Sequence, residues 1–421
     1  MRGRPRRKPQ GDPSYVGSYP GSMEAVRPLT LTRGRAGIGE RFGLPYFDGW
    51  LLAAAVGLIA FSCFTLAMAT SDDIPGDPLY FVLRQSLYGI VGVALMLAVA
   101  KVDYSRFREI RVGVYSLMVA AISLVLVFGA AARGSRRWIE LPYFRFQPSE
   151  LAKLLLIVAL AAFVIERTRR GTPIQQTIRM LALGLAPAAL VFLQPDLGTG
   201  FVLLVITLVV LFLAGLKRSH FAGIGGVAAL AVSFVLVIAP ATGLPTPLRD
   251  YQEDRLTAFL NPSNDPGDAS YQVNQSVIAI GSGERTGRGD GASQTELQFL
   301  PERHTDFIFA VIGERFGFMG AAFVLSLYAL LIWRMLRILT LSKNLYGTLI
   351  AGGIAAMLMF QILVNVGMTL GIMPVTGITL PLMSYGGSSV LVTFLAIGLL
   401  QSIHSQARLD SRSRAPTPLL R

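Results

Sequence analysis

The chain has 421 residues, of which 52% are hydrophobic and only 15% charged, and its mean hydropathy is +0.54. These values exclude an ordinary soluble globular protein and indicate a membrane protein with several spanning helices. The basic residues behind the net charge of +13 lie mostly beside apolar stretches, which favours contact with membrane lipids over nucleic-acid binding. The single cysteine excludes a disulfide framework and a thiolate metal cluster.

Residues 1–48 are predicted to form a basic, disordered tail rich in arginine, proline and glycine. Ten apolar stretches follow, each long enough to cross a hydrocarbon core of about 30 Å. The predicted spans are 50–70, 79–100, 112–130, 149–165, 178–193, 198–216, 221–239, 306–330, 347–370 and 383–403. The predicted fold class is therefore an all-α polytopic membrane protein, with a transmembrane domain over 49–405 and a basic tail over 406–421.

Ten spans place both termini on one side of the membrane. Lysines and arginines concentrate on that side, in the connectors after the second, fourth, sixth and eighth spans and in the C-terminal tail. The positive-inside rule makes that side cytoplasmic. The long polar segment 241–305, between the seventh and eighth spans, is then extracytoplasmic. Because it is long, acidic and partly amphipathic, we expect the chemistry of the protein to take place there.

One external connector, ARGSRRWIELPYFRFQPSE, runs against the charge rule because it carries Arg133, Arg136, Arg137 and Arg145. Two interpretations have equal weight from the residues alone. The arginines bind an anionic ligand, since guanidinium groups match phosphate oxygens bidentately. Alternatively, they pair with the acidic segment 241–305 on the same side.

Ionisable residues at membrane depth mark a second region of interest. Glu150 and Lys153 stand three residues apart, on one helical face, and Asp196 lies at the corner QPDLGT. Such groups are costly in a bilayer and usually mark a cavity or a pathway. A purely structural ion pair is the alternative, and Pro195 and Gly198 are expected to shape the corner.

The segment 241–305 offers carboxylates without a recognisable catalytic signature. Spacing alone makes Asp265 and Asp268 equal candidates for a catalytic carboxylate. The glycines of GSGERTGRG are interpreted as flexible backbone, because no strand precedes them as a phosphate loop requires. The three histidines are too scattered to form a zinc site.

Several segments together resemble the SEDS family, which includes RodA and FtsW. They are RWIELPYFRFQPSELAK, QPDLGTG, NPSNDPGDASYQVNQSVIAIGSG, LQFLPERHTDFIFAVIGERFG and GIMPVTGITLPLMSYGGSS. The likeness extends from the first span to the tenth, and MPVTGI followed by PLMSYGGSS is more similar to the RodA branch than to the FtsW branch. The resemblance implies a peptidoglycan glycosyltransferase of the bacterial cytoplasmic membrane, which polymerises lipid II during elongation beside a class B penicillin-binding protein. An FtsW-type division polymerase is the alternative within the family.

The resemblance also implies roles for individual residues. The family's key aspartate lies in a DP-G-YQ motif that matches Asp265 and not Asp268, which makes Asp265 the expected general base. This chain departs from the family at Asn261-Pro262 and Gly267-Asp268, so the local loop is expected to differ in shape. The implied substrate-binding residues are Arg137, Trp138, Arg145, Gln147, Tyr271, Gln272, His304 and Asp306. The implied cavity residues are Glu150, Lys153, Gln194 and Asp196.

The implied reaction sets the remaining expectations. An α-linked donor and a β-1,4 product require inversion by direct displacement, with one base and no covalent intermediate. Positive charge on the departing pyrophosphate is expected from Arg137 and Arg145, or from Mg²⁺ or Mn²⁺ with ligands that the sequence does not assign. Lipid tails should enter through apolar grooves open to the bilayer. A lipid II flippase and a non-catalytic scaffold are the alternative functions.

Overall fold

The computed structural model describes residues 47–70, 73–132, 135–141, 144–167, 172–233, 259, 268–296, 299–300 and 302–413. Its helices are α1 (Gly49–Ala69), α2 (Tyr80–Ala100), α3 (Arg106–Glu109), α4 (Arg111–Phe128), α5 (Pro148–Arg167), α6 (Pro173–Leu193), α7 (Leu197–Leu213), α8 (Arg218–Ser233), α9 (Asp268–Ser282), α10 (Ser293–Glu296), α11 (Ile308–Leu341), α12 (Leu345–Thr369) and α13 (Gly387–Ser413). A 3₁₀ turn covers Gly289–Gly291.

The predicted class of a polytopic helical membrane protein is confirmed. Eight helices of the described ranges are long and apolar enough to cross a membrane, and α7 is an apolar helix of 17 residues. Helix α8 covers the beginning of the predicted seventh span, whose remainder, 234–239, lies outside the described residues. The predicted number of ten spans therefore stays a prediction.

The connector between α4 and α5 contains a small antiparallel sheet that the all-α prediction did not include. Its strands are β1 (Ala130–Ala132), β2 (Ser135–Leu141) and β3 (Phe144–Phe146), in the order β1-β2-β3. The pairing of Glu140 with Arg145 sets the register of β2 against β3. The sheet holds the connector over the beginning of α5, and so positions Arg137 and Arg145.

The core of the bundle is formed by α5, α12 and α13, whose spans are 78%, 72% and 83% buried, whereas α2 and α4 are each 22% buried. Small residues allow the central helices to approach closely. A Cβ atom on Gly352 would lie 2.0 Å from Leu213, and one on Gly353 would lie 2.8 Å from Ile157. Helix α12 thus packs directly against α7 and α5.

Two predicted boundaries are wrong at the ends of the helical domain. Asp48, predicted to belong to the disordered tail, is buried and caps α1 by accepting a hydrogen bond from the Leu51 backbone N–H. Arg334 donates to both carboxylate oxygens of Asp48, and the Asp48 backbone exchanges hydrogen bonds with Gln401. At the other end, α13 continues to Ser413, so the predicted tail 406–421 begins inside a helix.

The same contacts show that the helical domain begins and ends at one face. The beginning of α1 meets the later parts of α11 and α13 through Asp48, Arg334 and Gln401. Ser402 in α13 donates to the carbonyl of Val102, directly after α2. The small sheet lies at the opposite face, where Phe144 packs on Gly387 at the beginning of α13.

Helix α11 contains a break that the glycine-rich segment GSGERTGRG fills. Gly317 has φ 62° and ψ −158°, a conformation open to glycine and costly for other residues. The Phe318 N–H donates to the carbonyl of Glu284, and the Arg288 N–H donates to the carbonyl of Glu314. These contacts pin the segment to the broken helix, so the interpretation of its glycines as flexible backbone is wrong.

Candidate functional site

A polar cluster forms where α5 and α7 begin, at the face that carries the small sheet. Asp196 is 2% exposed and caps α7, its Oδ1 accepting from the Thr199 N–H at 3.2 Å. Its Oδ2 accepts from Gln147 Nε2 at 3.1 Å, with Ser149 Oγ at 3.5 Å. The positive end of α7 and the side chains of Gln147 and Ser149 therefore stabilise the charge of this buried carboxylate.

Strand β2 brings Arg137 to this cluster. Its Nη1 lies 4.0 Å from Asp196 Oδ1, and its Nη2 donates to the carbonyl of Pro195. The buried Nε has no hydrogen-bond partner among the described residues. Arg137 thus places a positive charge beside this cluster, and its anion-binding role stays a prediction. Gly198 does more than shape the corner, since a Cβ there would lie 2.8 Å from the carbonyl of Thr376.

Glu150 and Lys153 form the ion pair that their spacing predicts. Lys153 Nζ lies 2.7 Å from Glu150 Oε1, and the two residues are 2% and 7% exposed. They lie on α5, directly after the turn that contains Gln147. A short buried pair has little contact with water, so each charge depends on the other for its stability.

The Arg145 guanidinium lies apart from this cluster, and its expected role toward phosphate stays a prediction. Its guanidinium lies 3.4 Å from Glu140 Oε1 across the hairpin, and the two side chains are 72% and 56% exposed. The alternative in which these arginines pair with segment 241–305 is not what the described residues show, because the partners of Arg137 and Arg145 lie at the α7 corner and within the hairpin. Trp138 is half-buried on β2.

Gln194, His304 and Asp306 occupy structured positions around the site. Gln194 Nε2 donates to the carbonyl of Ile122 at 2.6 Å, which joins α6 to α4. The His304 carbonyl accepts from the Tyr385 N–H at 2.9 Å. The Asp306 carbonyl accepts from Asn365 Nδ2 at 2.8 Å. The segment ERHTD is therefore fixed on α12 and on the loop that precedes α13.

Tyr271 and Gln272 lie on α9, which packs against α11. Tyr271 is 44% exposed and Gln272 is half-buried. A cavity of about 500 Å³ lies beside them, between α9 and the loop after α12, and its lining includes Val273, Val277 and Met373. Asp265 lies outside the described residues, and Asp268 begins α9. Asp265 as the base therefore stays a prediction.

A buried network that the sequence interpretation missed supports the segment ERHTD. Glu314 is fully buried, and its carboxylate accepts from the Thr295 N–H at 2.9 Å and from the Gln294 N–H at 2.8 Å. Arg303 donates to the Thr295 carbonyl at 2.8 Å and pairs with Asp73. The signal was present in VIGERFG, where ionisable residues interrupt an apolar stretch.

A resident metal site is not formed by the residues that the structure describes. No three His, Cys, Asp or Glu side chains come together there. Asp196 is already held by amide and hydroxyl donors, and Glu150 by Lys153. A magnesium site built by protein alone would need more carboxylate oxygens than this arrangement supplies.

The FtsW/RodA/SpoVE family model, described as "Cell cycle protein", matches residues 46–409. This range covers nearly all of the helical domain, including the polar cluster around Asp196 and the buried network around Glu314. The chain belongs to this family. Its similarity to the "Probable peptidoglycan glycosyltransferase FtsW" of Idiomarina loihiensis is 35% identity over 382 residues, covering 88% of this chain and 90% of that protein. The "Peptidoglycan glycosyltransferase MrdB" of Escherichia coli K12 is 35% identical over 370 residues, covering 87% and 96%.

Solved structures of this family share the fold of the chain. The structure titled "Structural coordination of polymerization and crosslinking by a peptidoglycan synthase complex" matches with a TM-score of 0.70 and 32% identity, covering 86% of this chain and 98% of that one. The two relatives named above carry an FtsW name and an MrdB name at the same identity. The assignment to the RodA branch therefore stays a prediction.

Proposed function

We propose that this protein is a peptidoglycan glycosyltransferase that polymerises lipid II into β-1,4 glycan strands during cell elongation. The observation that carries the proposal is the convergence of Arg137, Gln147 and Asp196 at one face of the bundle, all at motif positions of a family whose relatives are named peptidoglycan glycosyltransferases. The buried pair of Glu150 and Lys153 lies beside them. A division role of the FtsW type is equally compatible with the family match.

The reaction we propose is one inverting displacement. The 4-hydroxyl oxygen of the acceptor sugar attacks the anomeric carbon of the donor, and Asp265 takes the hydroxyl proton. The bond between the anomeric carbon and the pyrophosphate oxygen breaks, and polyprenyl pyrophosphate leaves with both electrons. Arg137 stabilises the charge that develops on the leaving group. Arg145 faces solvent on the hairpin and would meet the substrate only from outside.

Orientation and partner belong to the same proposal. The lysine and arginine asymmetry, together with a domain that begins and ends at one face, supports cytoplasmic termini and an extracytoplasmic site. A similar solved structure is titled as a peptidoglycan synthase complex that coordinates polymerization and crosslinking. This title supports a class B penicillin-binding protein as the partner that crosslinks the strands.

The test is turnover of purified protein with lipid II, followed by gel analysis of the glycan, with and without the transpeptidase partner. Glycan ladders that depend on this protein are the expected result. A lipid II flippase is the second candidate, because the buried Glu150–Lys153 pair is also what a polar lipid pathway would need. Transfer of labelled lipid II across liposomes without any glycan would replace the proposed function with that one.

A further inference from the structure

An arginine without a carboxylate partner among the described residues lies on the same face as the candidate site. The guanidinium of Arg84 in α2 is 4.1 Å from the centroid of the Tyr80 ring and interacts electrostatically with the nearby Tyr385 hydroxyl. No described Asp or Glu lies within ion-pair distance of it. Tyr88 and Tyr385 place their ring centroids 6.4 Å apart. Tyr80, Arg84, Tyr88 and Tyr385 are named the Arg84 cluster below.

Contacts of neighbouring residues hold this cluster in place. Gln85 is fully buried, and its Nε2 donates to the Ser384 carbonyl at 3.1 Å, which fastens the SYGG turn to α2 and sets Tyr385 beside Arg84. A Cβ atom on Gly387 would lie 2.5 Å from Phe144 and 3.0 Å from the Tyr88 ring. Glycine at this position is what allows β3 and α2 to close on the turn.

The cluster is continuous with the Asp196 site. Ser388 Oγ accepts from the Gln147 N–H at 3.0 Å and donates to the Arg145 carbonyl at 3.1 Å. Gln147 in turn donates to Asp196. One turn of chain, from Tyr385 to Ser388, therefore joins the Arg84 cluster to the carboxylate cluster, and a single extended substrate could contact both.

The depth of Arg84 indicates what it binds. It is the fifth residue of α2, about 6 Å along the axis from the beginning of the helix. With the beginning of α2 at the outer surface, as in the proposed orientation, this is the level of the interfacial layer, which is roughly 5–7 Å thick on each side of the hydrocarbon core. Lipid phosphates lie at this level, whereas the sugars and peptide of a lipid-linked saccharide extend into water. An arginine at this level is placed to meet an anionic phosphate.

We propose that Arg84 binds the pyrophosphate of the polyprenyl-linked donor, through its guanidinium fork and beside the Tyr385 hydroxyl. The proposal rests on the proposed function and on its orientation. Guanidinium pairs bidentately with phosphate oxygens, and the Tyr80 ring holds it in place. Burial raises the pKa of Tyr385 to about 12, so its hydroxyl remains a hydrogen-bond donor. A phospholipid headgroup has the same chemistry and is the alternative source of the phosphate.

The experiment measures binding of a sugar-free polyprenyl pyrophosphate to the purified full-length protein. Arg84→Gln should weaken binding about tenfold to a hundredfold, as loss of hydrogen bonds to a charged group does. Arg84→Lys keeps the charge but not the fork and should lie between. Arg337→Gln is the matched control, because exposed Arg337 lies 5.9 Å from the Trp333 ring and loses the same charge at the opposite face. It should change binding by less than about twofold.

Each other outcome overturns a definite part of the proposal. If Arg84→Gln unfolds at the wild-type temperature and binds the probe as tightly as the wild type does, the proposed site is refuted. Equal losses of binding in Arg84→Gln and Arg337→Gln would show that the net charge of the protein, and not this site, attracts the probe. If Arg84→Gln weakens binding to phosphatidylglycerol vesicles but not to the polyprenyl pyrophosphate, the site binds phospholipid. Because the probe needs no turnover, a wild-type protein that binds through Arg84 but makes no glycan refutes the proposed function and leaves the site standing.

Discussion

The buried pair of Glu150 and Lys153 allows a quantitative prediction. At 2.7 Å, two unit charges attract with about 6 kcal/mol at an effective dielectric constant of 20. Desolvation offsets most of this, so the net contribution of the pair is small. Neutralising one partner, as in Glu150→Gln or Lys153→Met, leaves the other charge buried and should cost about 3–5 kcal/mol. The double variant should recover about 2–3 kcal/mol of the summed loss.

The assay is unfolding of the purified protein in mixed detergent and SDS micelles, with the two single variants and the double variant forming a cycle. The chain offers a matched control in Glu140 and Arg145, an exposed pair at 3.4 Å. The same cycle there should give a coupling of about 0–1 kcal/mol. Additive effects at Glu150 and Lys153, within about 0.5 kcal/mol, would show that the two charges act independently and refute the reasoning.

Three further predictions concern orientation, packing and cations. Cysteine at Ser282 should react with a membrane-impermeant reagent in intact cells, and protection until lysis would contradict the extracytoplasmic assignment. Gly283→Ala should destabilise the protein by about 1–3 kcal/mol, because its Cβ would lie 1.9 Å from the Gly313 carbonyl oxygen. The control is Gly281→Ala, whose Cβ meets nothing within 4 Å; its stability should stay unchanged or rise by up to about 1 kcal/mol. If a divalent cation accompanies the substrate pyrophosphate, EDTA should abolish glycan synthesis, and added Mg²⁺ or Mn²⁺ should restore it. Full activity in EDTA would refute a requirement for the cation.

Sequence reasoning found the helices because a long apolar stretch is what a membrane-spanning helix requires, and it found Glu150 and Lys153 because their spacing is fixed by the helix. It did not find the pairing of Arg145 with Glu140, since cross-strand pairing within a short hairpin depends on a register that the residues do not reveal. Its interpretation of the glycines after α9 also failed. These glycines contact the break at Gly317, which lies about thirty residues further along the chain. A positive φ at a glycine in an apolar stretch cannot be predicted from the sequence.

Arg84 shows a different failure. One arginine inside an apolar stretch does not interrupt a predicted span, so it was absorbed into the second span. Only the fold brings Tyr385 to it: the next residue, Gly386, meets Gln85 across a sequence separation of 301 residues. Glu314 was overlooked for the same reason, because its partners Gln294 and Thr295 lie in the segment before the span. Polar residues within spans were thus the informative signal, and spacing alone could not pair them.

The central claim is that this protein polymerises lipid II with Asp265 as general base, and one comparison tests it most directly. Asp265→Asn keeps the size and polarity of the side chain but removes the basic oxygen, so the variant should fold, reach the membrane and lose about 10²–10⁴-fold of its glycan synthesis. Asp268→Asn should retain most activity. Near wild-type synthesis by Asp265→Asn, with or without loss in Asp268→Asn, would contradict the account and move the search for the base to Glu150, Asp196 or Asp306.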